Sequence, residues 1–192
     1  HGNKKFIKKT FYHRGISDAI KDVLRGPRAF RSLEGDLLLA KFGFHAPRCL
    51  MVGKKGRVSF AVYEFVDDAE DLDSLIKNRL KAPLAENMVR LKRRIAKEAG
   101  RVAGRLHAKG ICHGDMRLGN ILAKQDREGH LQIWLLDNER TFLYKKLAEK
   151  KRVKNLVQMN IIAVDTISRT DRMRFFLEYL KEVPEIGEHK KS

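Results

Sequence analysis

Three oxygen-bearing side chains stand within "GICHGDMRLGNILAKQDREGHLQIWLLDNERT", residues 110–141: Asp115, Asn120 and Asp137. A guanidinium, Arg117, follows the first carboxylate by two positions. A carboxylate can take the proton of an attacking hydroxyl, a carboxylate and an amide oxygen can hold a divalent cation, and a nearby side-chain cation can offset charge on a phosphoryl group. In that scheme Asp115 meets the hydroxyl, Asn120 and Asp137 ligate metal, and Arg117 faces the transferred group. Taken singly, each residue also fits a plainer role, with Asp115 and Asn120 as turn formers and Asp137 as the cap of a following helix.

Position favours the chemical reading. Asp-x4-Asn is the spacing of a kinase catalytic loop, and here it follows a long amphipathic segment and precedes a hairpin that ends on Asp137. The amphipathic segment, "LAENMVRLKRRIAKEAGRVAGRLHAKG", repeats Met88, Leu91, Ile95, Val102 and Leu106 at helical spacing and stops at Gly110. The hairpin is "NILA" and "LQIWLLD" around "KQDREGH". Upstream, "KKFIKKTFY" reads as a strand, and "GPRAFRSLEGDLLLAKFG" as a helix with Pro27 at its start, an apolar stripe of Phe30, Leu33, Leu37, Leu38 and Ala40, and Gly43 at its end. "APRCLMVG" and "RVSFAVYEFV" are strands around "GKKG". "DDAEDLDSLIKN" is a helix whose positive end is matched by Asp67 and Asp68. The tail, "FLYKKLAEKKRVKNLVQMNIIAVD" and "SRTDRMRFFLEYLKEV", reads as helical. A small sheet with one helix therefore precedes a mainly helical part. That is an α+β architecture, with the seam between the two parts as the natural ligand site.

The chain has 192 residues, 43% hydrophobic and 34% charged, as in a soluble globular domain or one split into two lobes. No apolar run is long enough to span a bilayer, no secretory signal is visible, and the start at His1 implies a trimmed N-terminus. Cys49 and Cys112 have no partner pattern. They read as small buried apolar residues in a reducing, cytoplasmic setting. The net charge of +17 calls for an anionic partner: nucleic acid, an acidic membrane surface or a phosphorylated substrate. Nucleic acid is the least supported, because the basic residues are not interleaved with stacking aromatics.

The chain resembles the lipopolysaccharide core kinase family, the heptose and Kdo kinases of the protein-kinase-like superfamily. "HGDMRLGNIL" resembles its catalytic loop, "LLDNERT" its metal-binding Asp-x-x-Arg segment (Asp137 and Arg140), and "RAFRSLEGDLLLAKFGFHAPRCL" its early helix with the G-x-x-x-P that leads to the next strand. "KNLVQMN" and "SRTDRMRFFLEYL" are similar to its closing helices, with Asn155 where relatives often carry Asp. The resemblance implies a bilobal kinase fold with a truncated N-terminal sheet lobe over residues 1–66 and a helical catalytic lobe over 67–192. It implies ATP and Mg²⁺ as cofactors and a sugar hydroxyl of the lipopolysaccharide inner core as acceptor. The strand lysine falls in "FIKK", with Lys8 as the choice and Lys9 as the alternate, paired with Glu34 of the following helix. Adenine would meet the backbone from Glu64 to Val66. No glycine-rich phosphate loop precedes Lys8, "HGNKK" being at most its last trace. HGD in place of HRD removes the Arg that reads an activation-loop phosphate, so constitutive activity is expected.

Between Arg140 and Lys154 lie seven basic residues and one acid, Glu149. A cationic ledge there suits a phosphorylated glycolipid acceptor and a peripheral place on the anionic inner face of the inner membrane. Two other readings stand beside this one: a kinase with a protein or other small-molecule acceptor, and a non-catalytic kinase-like module that binds through its charge.

Overall fold

The computed structural model describes residues 4–12, 22–80, 83–161 and 166–184. Of the segment "HGNKK", read above as a trace of a phosphate loop, the first three residues lie outside them. Strand β1 (Phe6–Tyr12) is followed by helix α1 (Arg28–Lys41) and by β2 (Cys49–Lys55) and β3 (Val58–Glu64). These strands form an antiparallel sheet in the order β1-β3-β2. Alternation sets the inner face of β1. Phe11 is buried there with Ala29, Ala61 and Tyr63 in a small core between sheet and helix. Lys9 shares the side of Phe11, two residues away, while Lys8 takes the other.

Helix α1 turns its small and polar side inward. Ala29, Ser32, Gly35, Asp36 and Leu39 are buried, whereas Phe30, Leu37 and Ala40 of the expected stripe are exposed. The reason is close approach. A Cβ on Gly35 would lie 2.1 Å from the carbonyl oxygen of Asn138, so this side of α1 seats on the turn that carries the site. Gly43, at φ +75°, ends the helix as read.

The acidic stretch after β3 departs from the expected helix. Asp68 sits at φ +58° in a turn, Ala69–Asp71 forms β4, and helix α2 (Leu72–Arg79) starts only at the Asp71 cap, whose side chain accepts the Ser74 N–H at 2.9 Å. Helix α3 (Glu86–Ala108) then supplies the spine of the larger core, with Ile95, Val102 and Leu106 buried and Met88 and Leu91 packed at its edge. Strand β5 (Ile111–Cys112) pairs with β8 (Phe142–Leu143), where a helix was expected. Strands β6 (Ile121–Gln125) and β7 (Leu131–Leu135) make the hairpin, extended by β4 in the order β4-β6-β7. Helices α4 (Glu149–Met159) and α5 (Arg169–Glu182) close the described chain.

Helices α3 and α5 touch backbone to backbone at two glycines. A Cβ on Gly100 would lie 2.2 Å from the Phe175 carbonyl oxygen, and one on Gly104 would lie 2.7 Å from that of Tyr179. In an open helix Gly→Ala gains about 1 kcal/mol. Here Gly100→Ala is expected to lose on the order of 1–3 kcal/mol through overpacking. The denaturant midpoint reads this directly, and a midpoint at or above wild type would contradict the packing.

Candidate active site

β5 delivers His113 into the interior, where its side chain is fully buried. Its Nε2 lies 3.0 Å from the Leu136 carbonyl oxygen and 2.9 Å from Asn138 Oδ1, and its Nδ1 lies 3.2 Å from the Asp115 backbone nitrogen. The Asp115 N–H can only donate, so Nδ1 accepts, and Nε2 carries the proton that it gives to Leu136 and Asn138. Burial pulls this imidazole below its ordinary pKa, which keeps it neutral and makes it a brace for the loop.

The same contacts gather the oxygen donors. Asn120 Nδ2 donates to the Asp115 carbonyl oxygen at 2.9 Å, and the Asn120 carbonyl oxygen accepts the Leu136 N–H at 2.8 Å. One residue on, Asp137 adopts a left-handed backbone (φ +62°, ψ +46°), a conformation that Asp tolerates better than most residues and that often marks a functional site. Asp115, Asn120 and Asp137 thus meet at one place: the end of the loop and the end of the hairpin. Because the Asn120 amide nitrogen is engaged with Asp115, its amide oxygen is the atom left for a cation. Among the described residues no group of three or more His, Cys, Asp or Glu could hold a metal by itself. An Asn and an Asp fit instead an ion that takes most of its ligands from water and phosphate, as Mg²⁺ does.

Arg117 grips the Asp115 carboxylate in bidentate fashion, Nε to Oδ1 at 2.7 Å and Nη2 to Oδ2 at 2.6 Å. Burial alone would raise this carboxyl, but the Arg117 guanidinium outweighs it and holds Asp115 below the usual carboxylate range.

Of the two strand lysines, it is Lys9 whose ammonium meets the Asp137 carboxylate in an ion pair. Lys8, the residue chosen from sequence, faces the other way, its Nζ 5.2 Å from the centre of the Phe60 ring. The one-residue alternation of the strand decides between them. Glu34 does not pair with either. It is exposed, about 200° around the helix from Asp36 at 100° per residue. The inward acid of α1 is Asp36, which accepts Asn138 Nδ2–H at 2.7 Å; burial raises its pKa to about 6, against the opposing pull of that hydrogen bond. A second tie between α1 and the turn is bidentate: Arg28 Nε to Glu139 Oε2 at 2.8 Å and Nη2 to Oε1 at 2.9 Å. At the end of β3 the Glu64 N–H is engaged by the Arg48 carbonyl at 3.0 Å, while Val66, two residues on, has no partner for its N–H among the described residues. Gly114 explains the HGD sequence. A Cβ there would lie 2.2 Å from Arg140 Cβ, so the loop and the Asp-x-x-Arg turn touch where any side chain would intrude.

Sequence reasoning noted Asn155 only as a departure from relatives and gave no role to the support beneath the loop. Asn155 is fully buried on α4 and donates Nδ2–H to the His113 carbonyl oxygen. Its Oδ1 accepts from His107 Nε2 at 3.2 Å, and His107 Nδ1 in turn accepts the Tyr179 hydroxyl at 2.9 Å. Gln158 stands one helical turn from Asn155. The signal for Asp36 was its place in the register Ala29, Ser32, Asp36, Leu39, whose small and polar residue types hid the buried face. A cavity of about 730 Å³ lies between α2, α3, α4 and α5, with Leu72, Ile95, Leu156, Val157, Phe175 and Phe176 in its lining.

The family model described as the lipopolysaccharide kinase (Kdo/WaaP) family matches residues 2–179. No curated protein matches the chain. Among solved structures, WaaP in complex with acyl carrier protein is 22% identical with a TM-score of 0.66, over 80% of this chain and 66% of that one. The bifunctional kinase-methyltransferase WbdD is 17% identical with a TM-score of 0.53, over 93% of this chain and 41% of that one. The chain therefore spans less than two thirds of either neighbour's length. At these identities the likeness is one of fold, and that fold is protein-kinase-like.

The buried His107 carries a pH signature. Burial lowers its pKa from 6.5 to about 4, so between those values the unfolded chain binds a proton that the folded chain refuses. Its share of stability is complete above pH 6.5 and is lost as pH falls toward 4, on the order of 3 kcal/mol in all. Asp36, raised from 3.8 to about 6, runs the opposite way and mutes the total. The comparison of wild type with His107→Gln isolates the His. The stability gap between them is expected to widen from pH 4 to 6.5 and then stay flat, as read by urea melts at stepped pH. A gap constant with pH would show that His107 is not held neutral.

Proposed function

The chain belongs to the lipopolysaccharide kinase (Kdo/WaaP) family, and from that membership we propose that it transfers the γ-phosphoryl group of ATP to a sugar hydroxyl of the lipopolysaccharide inner core. The observation that carries the reading is the meeting of Asp115, Asn120 and Asp137 opposite Lys9, with Arg117 already in contact with Asp115. In this proposal residues 1–66 hold nucleotide and residues 67–192 carry the catalytic groups.

Asp115 orients the acceptor hydroxyl and takes its proton as the oxygen attacks phosphorus in line with the departing β-phosphate oxygen. Arg117, whose side chain is largely exposed, turns from Asp115 to the phosphoryl oxygens. Lys9 exchanges the Asp137 carboxylate for the α- and β-phosphates. Asn120 Oδ1 and an Asp137 carboxylate oxygen would hold Mg²⁺, which when bound offsets charge on the β- and γ-phosphates. The Val66 N–H offers adenine a donor. No step asks for a phosphorylated segment, in keeping with the glycine at position 114.

Asp115→Asn is expected to lower phosphorylation of purified core oligosaccharide at least about 100-fold and to keep nucleotide binding. Lys9→Met should weaken ATP binding, while Lys8→Met should leave it near wild type. Radiolabel transfer and nucleotide titration test all three. Full turnover in Asp115→Asn, or a stronger effect at Lys8 than at Lys9, would refute the assignment.

A partner follows from the WaaP complex. We propose the same kind of partner, an acyl carrier protein, for this chain. The net charge of +17 and the apolar cavity of about 730 Å³ favour it. Calorimetry should show tighter binding of acylated than of unacylated carrier protein, with the difference lost in Phe176→Asp. Equal binding of both forms, or stronger attachment to anionic vesicles than to either, would assign the surface to charge alone. Among the described residues no helix is long and apolar enough to cross a membrane. The net charge of +17 favours a place against the anionic inner face of the inner membrane.

A further inference from the structure

Helix α4 presents one side chain to the base of the reaction. Gln158 lies with Nε2 3.4 Å from Asp115 Oδ1, and its Oε1 accepts the Met116 backbone N–H at 3.2 Å and Asn155 Nδ2–H at 3.1 Å. The orientation of this amide is settled by its neighbours. Both the Met116 N–H and the Asn155 amide nitrogen are donors, so the atom between them is oxygen and the atom facing Asp115 is the NH₂ group. Asn155 is itself fully buried and bound to the His113 carbonyl oxygen, which anchors Gln158 to rigid structure.

We propose that Gln158 is a positioning residue for Asp115, holding the carboxylate in place while Arg117 moves to the phosphoryl group. The inference rests on the kinase reading above. Arg117 has the stronger grip on Asp115, through two short charge-assisted bonds, but it extends from the loop itself into solvent and is asked to leave. Once it does, the Asp115 carboxylate keeps side-chain contacts from Asn120 of its own loop and from Gln158, and Gln158 is the one that reaches it from a separate helix. One amide then sets both the carboxylate of residue 115 and the backbone of residue 116. That is the kind of second contact that keeps a reacting group within a fraction of an ångström of its productive position.

The isosteric variant Gln158→Glu separates this role from packing. It keeps the length of the side chain and an acceptor for the Met116 N–H, and it replaces the donor to Asp115 with a like charge. With Mg·ATP and heptose-containing core oligosaccharide as probes, Gln158→Glu and Gln158→Leu are each expected to lower kcat about 10-fold or more, with the KM for ATP and the melting temperature of Gln158→Glu close to wild type. A Gln158→Glu enzyme with wild-type kcat would overturn the proposal, as would a loss seen only in KM or only together with unfolding. The contact is also read without turnover. In NMR spectra of the full chain the Gln158 side-chain amide resonances should shift in Asp115→Asn, and unchanged resonances would sink the proposal on their own. A wild-type chain that fails to phosphorylate the oligosaccharide while those resonances do shift would fault the acceptor reading and leave the role of Gln158 standing.

Discussion

The neutral, fully buried imidazole of His113 is the joint on which the site turns. It ties the Asp115 backbone on one side to the Leu136 carbonyl and the Asn138 side chain on the other, so a single ring joins the loop to the end of the hairpin. An unpaired polar group at this depth would cost about 1–3 kcal/mol. Each of the ring's nitrogens has its partner, and the partners in turn have theirs. Asn138 passes the connection to Asp36 of α1, and Asn155 passes it from the His113 carbonyl to His107 and Tyr179. The result is a continuous polar line through an otherwise apolar core, from the helix under the small sheet to the last helix of the described chain.

Ion pairs complete the link between the two parts. Arg28 with Glu139 and Lys9 with Asp137 both run from the sheet side to the turn after β7. The two differ in character. Glu139 is buried and bound through both oxygens, the geometry of a fixed strut. The Lys9 and Asp137 side chains are each about one-third exposed, so water weakens their pair and lets it open. The N-terminal part is thus held fast through α1, by Arg28 and Asp36, and can exchange partners at Lys9.

Much of this was readable in sequence where short-range rules act alone. The long helix, the hairpin and the small sheet follow from spacing and turn residues, and Asp115, Asn120 and Asp137 come together because a short loop and a tight hairpin leave them little choice. The readings that failed needed tertiary information. Apolar Phe30 and Leu37 announced a buried stripe on α1, but Gly35 allows a backbone contact that only the opposite side can make. Lys8 and Lys9 are indistinguishable until the strand has a partner that fixes its faces. Glu34 was the expected acid because it is the only Glu on that helix, yet it is Asp36 that points inward. Phe142 and Leu143 look like the start of a helix and instead pair with β5, a non-local contact that no local propensity encodes. Asn155 and Gln158 lie in a segment recognisable from sequence, but their roles could not be read there, since their meaning lies in what they touch.

Tyr179 lies near the close of the last helix, and Val183 just beyond it is fully buried. The phenolic hydroxyl is the far anchor of the line that ends at the loop of His113 and Asp115, and the two glycines of α3 leave no slack between the helices. A stop codon or proteolytic nick ahead of α5 would therefore do more than shorten the molecule. It would strip the support from beneath His107 and Asn155 and loosen residues encoded far upstream, so the loop of Asp115 owes its shape to a helix that is translated long after it.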